Sequence, residues 1–209
     1  LRIFSMQQDM FSTHSKRLVL QPMVDANVLY MVNFIDDPQA TELYQNLRQN
    51  LSWRQDSIKM YGKSVKIPRL QAWYGDPEAK YTYSGLDMTP MPWNDALMNI
   101  KYDLEELCDT RFNSVLANYY RDGQDSMGWH ADNEPELGEK PVIASVTLGQ
   151  ARDFDFRHNV TGEKVRFTLQ NGSLLLMKGS TQRYWQHALP KRMRANCGRI
   201  NLTFRNILQ

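Results

Sequence analysis

Acidic residues are missing from the last quarter of this chain. None follows Glu163, whereas Lys164, Arg166, Lys178, Arg183, Lys191, Arg192, Arg194, Arg199 and Arg205 all do. Over all 209 residues the formal charge is only +2, so total charge names no partner. Its distribution is more telling, because a basic quarter is either a solvated surface or a face for phosphates. Cysteine is scarce too. Two residues, Cys108 and Cys197, exclude a disulfide framework and a Cys-rich metal site. They suit a reducing compartment. No apolar run reaches membrane-spanning length, and the N-terminus has no signal-peptide layout. Repeats and low-complexity segments are absent. The first residue is Leu1 rather than Met, as in a truncated chain.

What is present changes period part-way along. After an irregular leader, residues 28–34 are an apolar run that reads as a strand. Asp37-Pro38 offers a capping carboxylate followed by proline at the first helical position. Leu43, Tyr44, Leu47 and Leu51 then recur at helical spacing and predict a helix over 38–51. A second helix is predicted over 92–109, with Leu97, Ile100, Leu104 and Leu107 as its apolar stripe and Lys101 as the exception. Between them, Lys59-Met60-Tyr61-Gly62-Lys63 reads as a hairpin tip. Trp73, Tyr74, Tyr81 and Tyr83 follow in a stretch whose aromatics favour strands. From Arg111 onward strands are predicted over 114–121, 142–148, 152–158, 164–169, 173–177, 184–188 and 199–206, with Gly-containing turns between several of them. Helices first and short strands after them predict an α+β, mainly β chain. Its expected form is a double-stranded β-helix (jelly roll) with flanking N-terminal helices.

The chemistry concentrates at Trp129-His130-Ala131-Asp132. His-x-Asp with a distant histidine, here His187, is the pattern of a two-His-one-carboxylate triad that holds ferrous iron and leaves positions open. Residues two apart share a face only in extended chain, so His130 and Asp132 require it. Taken singly, His130 also reads as a surface or half-buried histidine. The ending Arg199-Ile200-Asn201-Leu202-Thr203-Phe204-Arg205 weighs against that. In a strand its apolar members turn one way, and Arg199, Asn201, Thr203 and Arg205 the other. With the apolar set on a core, the arginines need water or a cavity holding an anion. A dianionic organic acid beside the iron would explain both, since guanidinium matches a carboxylate bidentately. His14 and His158 lie outside the pattern, and His158 reads as a structural or surface residue.

Together, Asn118-x-Tyr120, His130-x-Asp132, His187 and Arg199-x5-Arg205 resemble the AlkB family of Fe(II)- and 2-oxoglutarate-dependent dioxygenases. The likeness also covers Pro68-Arg69, Tyr74-Gly75-Asp76, Tyr81-Thr82-Tyr83-Ser84-Gly85 and Pro92-Trp93, so it runs from about Lys59 to Leu208. It points to the branch of the human nuclear DNA-repair homologues and their bacterial relatives. The resemblance implies Fe(II) on His130, Asp132 and His187. It implies 2-oxoglutarate held by Asn118, Tyr120, Arg199, Asn201 and Arg205, with Arg199 on the distal carboxylate and Arg205 also orienting Asp132. The implied activity uses O2 to demethylate DNA bases of the 1-methyladenine or 3-methylcytosine type, releasing formaldehyde, succinate and CO2. Such a base must leave the stack. Tyr81 and Tyr83 would stack on it, since an aromatic face attracts a cationic ring, and Glu134 would accept from its exocyclic amino group. Tyr61 would wedge into the stack, while Lys63, Arg69, Arg192 and Arg194 would meet the substrate. Asn133 departs from the acid usual at its position. The likeness divides the chain into a leader, 1–27, and a single catalytic domain, 28–209. Within it, 28–110 is the helical buttress and nucleotide-recognition lid, and 111–209 the β-helix core. A monomer without membrane contact is expected. Two alternatives stay open: an RNA or protein demethylase or hydroxylase with the same iron core, or a catalytically silent nucleic-acid-binding module.

Overall fold

The computed structural model describes residues 17–60, 62–79, 81–83 and 86–208; the side chains at 59–60, 81–83 and 86–88 lie outside that description. The N-terminal part runs β1 (Val19–Leu20), β2 (Asn27–Met31), α1 (Asp37–Asn50), β3 (Ser57–Met60), β4 (Lys63–Lys66), β5 (Leu70–Gly75), β6 (Tyr81–Tyr83), β7 (Leu86–Met88) and α2 (Asp95–Cys108). The remainder runs β8 (Ser114–Tyr120), β9 (Met127–His130), β10 (Ile143–Gly149), β11 (Arg152–His158), β12 (Lys164–Leu169), β13 (Ser173–Lys178), the short helix α3 (Thr181–Tyr184), β14 (Trp185–Leu189) and β15 (Arg199–Arg205).

Seven strands form one sheet in the order β1-β2-β13-β10-β15-β8-β5, and four form another in the order β12-β11-β14-β9. All their pairings are antiparallel. Alternation along the strands decides what each face meets. Leu174 and Leu176 of β13, and Ile200, Leu202 and Phe204 of β15, pack with Leu47 of α1 and Leu97 and Leu104 of α2. Their neighbours Leu175 and Met177 turn the other way and pack with Phe156, Trp185 and Leu189 of the four-stranded sheet. The large sheet is therefore buried on both faces, by helices outside and by the small sheet inside. This is the jelly-roll layering expected from the strand pattern, with helices from the N-terminal part as its outer layer.

The helices start on local signals. Asp36 caps α1, its carboxylate accepting from the Gln39 N–H at 3.0 Å, one residue earlier than the sequence suggested. Pro38 lies in the first turn, where its missing N–H is harmless. Asn94 caps α2 through the Leu97 N–H at 2.9 Å. Lys101, the apparent exception on α2, is buried. It pairs with Glu105 at 3.1 Å and lies 5.9 Å from the Trp93 ring centre. Leu107, expected in the stripe, is instead exposed.

Two further expectations need correction, and one resolves. The leader is not irregular throughout, since Val19 and Leu20 pair with β2. Tyr184 ends α3 rather than starting a strand; the backbone turns there so that β14 begins at Trp185. Of the two readings of His158, the structural one holds, since it is buried. Its Nδ1 accepts from the Val160 and Thr161 N–H groups, and its ring lies against Tyr184 and Trp185.

The chain passes between the sheets at 121–126 and again at 190–198, and the two passages are fastened together. Gly123 donates to the Ala195 carbonyl and accepts from the Arg192 N–H, each at 2.8 Å. A Cβ at Gly123 would collide with the Arg192 carbonyl, so only glycine fits. The buried Arg152 guanidinium donates to the carbonyls of Asp122, Asp125 and Pro190 at 2.8–3.1 Å.

Candidate functional site

One cavity of about 630 Å³ opens between the sheets, and His130, Asp132, His187, Arg199 and Arg205 all line it. His130 ends β9 and His187 lies directly opposite on β14, so the strand ladder holds the two rings 4.2 Å apart between centres. Asp132 follows just beyond β9. One ligand atom from each of the three residues lies within 4.8 Å of the other two. His130 Nδ1 lies 2.9 Å from the Gly128 carbonyl; donating there leaves Nε2 as the lone-pair nitrogen.

The electrostatics suit a cation. Burial alone would raise the Asp132 carboxyl, but the Arg205 guanidinium and the two imidazoles outweigh it and hold the group at about 2. Arg205 donates to Asp132 Oδ1 at 2.8 Å. Burial, with His130 beside it, pushes His187 down to about 3, so near neutral pH its imidazole is uncharged with a lone pair to give.

The other end of the cavity suits an anion. Arg199 is 1% exposed, and no carboxylate among the described residues pairs with it. Its guanidinium donates to Thr147 Oγ1 at 2.8 Å and Asn201 Oδ1 at 2.7 Å, and its buried Nε has no partner. Burial lowers it to about 10, which leaves it charged at neutral pH. An uncompensated buried charge costs about 3–5 kcal/mol, so this cation calls for an anion. Tyr120 lies beside it, its ring centre 5.5 Å from the guanidinium carbon. Asn118 lines the same cavity, its carbonyl oxygen taken by Arg69 Nε at 2.8 Å and Gln71 Nε2 at 3.0 Å. That leaves the Asn118 NH2 for a ligand.

Glu134 and Arg69 also line the cavity, and Glu134 Oε2 is buried without a partner. Lys63 and Arg194 are exposed and are not part of the wall. Arg192 is not a free cation either, because Asp153 holds it at 2.7 Å. Tyr61 and the side chains of Tyr81 and Tyr83 lie outside the described residues. Sequence reasoning missed Gln71 and Gln182. Alternation would have found Gln71, two residues from Arg69. Nothing local marks Gln182, whose Oε1 accepts from the Asp132 N–H at 2.9 Å.

A family model described as the 2OG-Fe(II) oxygenase superfamily matches residues 27–205. The chain belongs to this superfamily. As a 2OG-Fe(II) oxygenase it is a dioxygenase that uses Fe(II), 2-oxoglutarate and O2. The donor set fits the ion, since two neutral-capable imidazoles and an ionised carboxylate form the facial arrangement that suits non-haem iron. The acid-free Arg199 fits the cosubstrate. Among curated proteins, this oxygenase is 38% identical over 198 residues to the human protein named alpha-ketoglutarate-dependent dioxygenase alkB homolog 3, covering 90% of this chain and 68% of that one. It is 41% identical over 181 residues to the mouse protein named DNA oxidative demethylase ALKBH2, covering 81% and 76%. The solved structure of OsALKBH1 superimposes with a TM-score of 0.63 at 16% identity, covering 85% of this chain and 97% of that one. A prolyl hydroxylase from Trichoplax adhaerens, solved with a hypoxia-inducible-factor peptide, gives 0.60 at 17%, covering 86% and 83%. At such identities the structural likeness speaks for the fold alone. Among the described residues no helix is long and apolar enough to cross a membrane.

Proposed function

We propose that this oxygenase removes methyl groups from N-alkylated bases of DNA, of the 1-methyladenine and 3-methylcytosine type. The observation that carries the reading is a fully buried, acid-free Arg199 in the same cavity as the His130–Asp132–His187 cluster. The names of the alkB homolog 3 and ALKBH2 relatives supply the substrate class.

When bound, Fe(II) with 2-oxoglutarate and O2 supplies the oxidising power that breaks a C–H bond of the methyl group. The chain's residues do the rest. His130, Asp132 and His187 hold the ion from one side. Arg205 keeps Asp132 ionised and turned toward the imidazoles. Arg199 binds the distal carboxylate of the cosubstrate in a charge-assisted fork, with Tyr120 against it. Asn118 and Asn201 donate to or orient the rest of that molecule, and Arg69 and Gln71 hold the Asn118 amide in place. Glu134, with one oxygen unpartnered, accepts from the exocyclic amino group of the extruded base, and its charge favours a cationic lesion. Tyr81 and Tyr83 stack on that base, and Tyr61 takes its place in the stack. Lys63 and Arg194, both exposed, meet the phosphodiester chain, while Arg192 stays with Asp153 and Arg69 with Asn118. Residues 28–209 act as one catalytic domain and as a monomer, in the nucleus of a eukaryote or the cytoplasm of a bacterium.

The test is formaldehyde release from matched single- and double-stranded DNA oligonucleotides and an RNA counterpart, each carrying 1-methyladenine or 3-methylcytosine. Release that depends on 2-oxoglutarate from a DNA arm is expected. Release from RNA only would move the substrate class. None from any arm, with iron and cosubstrate bound, would overturn the reading.

A further inference from the structure

Asp132 is the one member of the cluster that no strand holds. The ladder between β9 and β14 sets the two imidazoles, but Asp132 lies in irregular chain past the end of β9. Two side chains reach it from different elements. Arg205 of β15 binds its carboxylate, and Gln182 of α3 binds its backbone N–H at 2.9 Å. The second bond is fully enclosed, with Gln182 3% exposed.

The amide of Gln182 can sit only one way round. A backbone N–H can only donate, so Oε1 must face Asp132. The other end is consistent, with Nε2 directed at Sδ of Met177 on β13 at 3.4 Å. A buried amide turned about would leave the Asp132 N–H unsatisfied and face it with an N–H of the amide. The helix that carries Gln182 runs straight into the strand that carries His187. One short segment therefore presents one ligand and anchors another. Gln182 is not part of the cavity wall, so it touches neither the cosubstrate nor a base.

We infer that Gln182 is the positioning residue that fixes Asp132 against the two imidazoles, and that it sets how tightly this chain binds its metal. The inference rests on the triad reading above.

The experiment is a titration of the metal-free full chain with Co(II), followed by its visible absorption. Gln182→Met keeps length and apolar packing but removes the acceptor. Its Co(II) affinity should fall about 10-fold, at the lower end of what outer partners of metal ligands contribute. The absorption envelope should change with it. At saturating metal its KM for 2-oxoglutarate should match the wild type, which a general loosening of the fold would not allow. Gln182→Glu keeps an oxygen acceptor and should bind Co(II) within about threefold of wild type, well inside that loss. Wild-type affinity and spectrum in Gln182→Met would overturn the inference. So would a loss of about 10-fold or more in Gln182→Glu, a threshold that stands whether or not the Met variant folds. His130→Ala runs beside them: unchanged Co(II) binding there would sink the triad reading itself rather than the part played by Gln182.

Discussion

The inner end of the cavity and its mouth are built from different material. The inner end rests on β10, β15 and β8, each with a partner strand on both sides. Their register sets Asn201 between Asn118 and Thr147, and Arg199 beside Tyr120. The mouth is edged by residues such as Ser57 and Ile58 of β3. Among the described residues that strand pairs only with β4, and β4 is exposed along its whole length. A lone two-stranded ribbon is marginal in water, whereas central strands open only when much of the protein does. The difference separates two tasks. Arg199 and Asn201 sit where backbone motion is most expensive, and the residues of the mouth sit where the chain can change without disturbing them.

Substitutions at the two ends should part company. Asp132→Ala should abolish formaldehyde release, by roughly 10³-fold or more for a group that acts as part of a unit. DNA affinity measured by anisotropy should hardly move; surviving turnover would remove Asp132 from the metal set. Arg199→Met comes next. Losing a buried charge-assisted contact costs about 2–5 kcal/mol, so the KM for 2-oxoglutarate should rise by ~100-fold with DNA binding intact. An unchanged requirement for cosubstrate would show that the anion sits elsewhere.

Acid should attack the His130–Asp132–His187 cluster specifically. The buried His187 titrates at about 3 when folded, against an ordinary value of 6.5 for a solvated imidazole, so the unfolded chain takes up the proton first. The metal-free protein should therefore lose stability as pH falls from 6.5 toward 3. Asp132, lowered from 3.8 to about 2, adds a further loss below 3.8. His187→Gln should flatten the upper limb of a melting-temperature profile, and an unaltered slope would mean that His187 is not the group responsible. The smallest effects belong to the exposed loop. Lys191→Ala and Arg194→Ala should each reduce the salt slope of DNA binding by about 1, while turnover at saturating DNA stays the same. Arg192→Ala should do less, because Asp153 already neutralises that side chain. Equal slopes for all three would erase that distinction.

Much of this was open to a reader of the sequence, for reasons that differ by position. The strand at β15 was legible because its apolar and polar residues alternate strictly and both faces are buried. The helices were legible from their caps and spacing. Lys101 was misleading because a charge in an apolar stripe reads as an error until Glu105 and the Trp93 ring are seen beneath it. Arg192 looked like a free phosphate ligand because Asp153 is far away in sequence. Gln182 was invisible for the same reason, since its partner Asp132 belongs to another strand's exit and no local pattern announces a long-range amide contact.

The fastening at Gly123 and Arg152 has a bearing on reach. The metal ligands belong mainly to one ladder and Arg199 to the other, and those ladders are separate hydrogen-bonded sheets. Left to side-chain packing alone, the two walls could shear past one another. Tying two of the crossovers together at one corner turns the sandwich into something like a bound book, stiff at the spine. The spacing between Arg199 and the His130–Asp132–His187 cluster is thereby gauged in backbone rather than left to the side chains that line it.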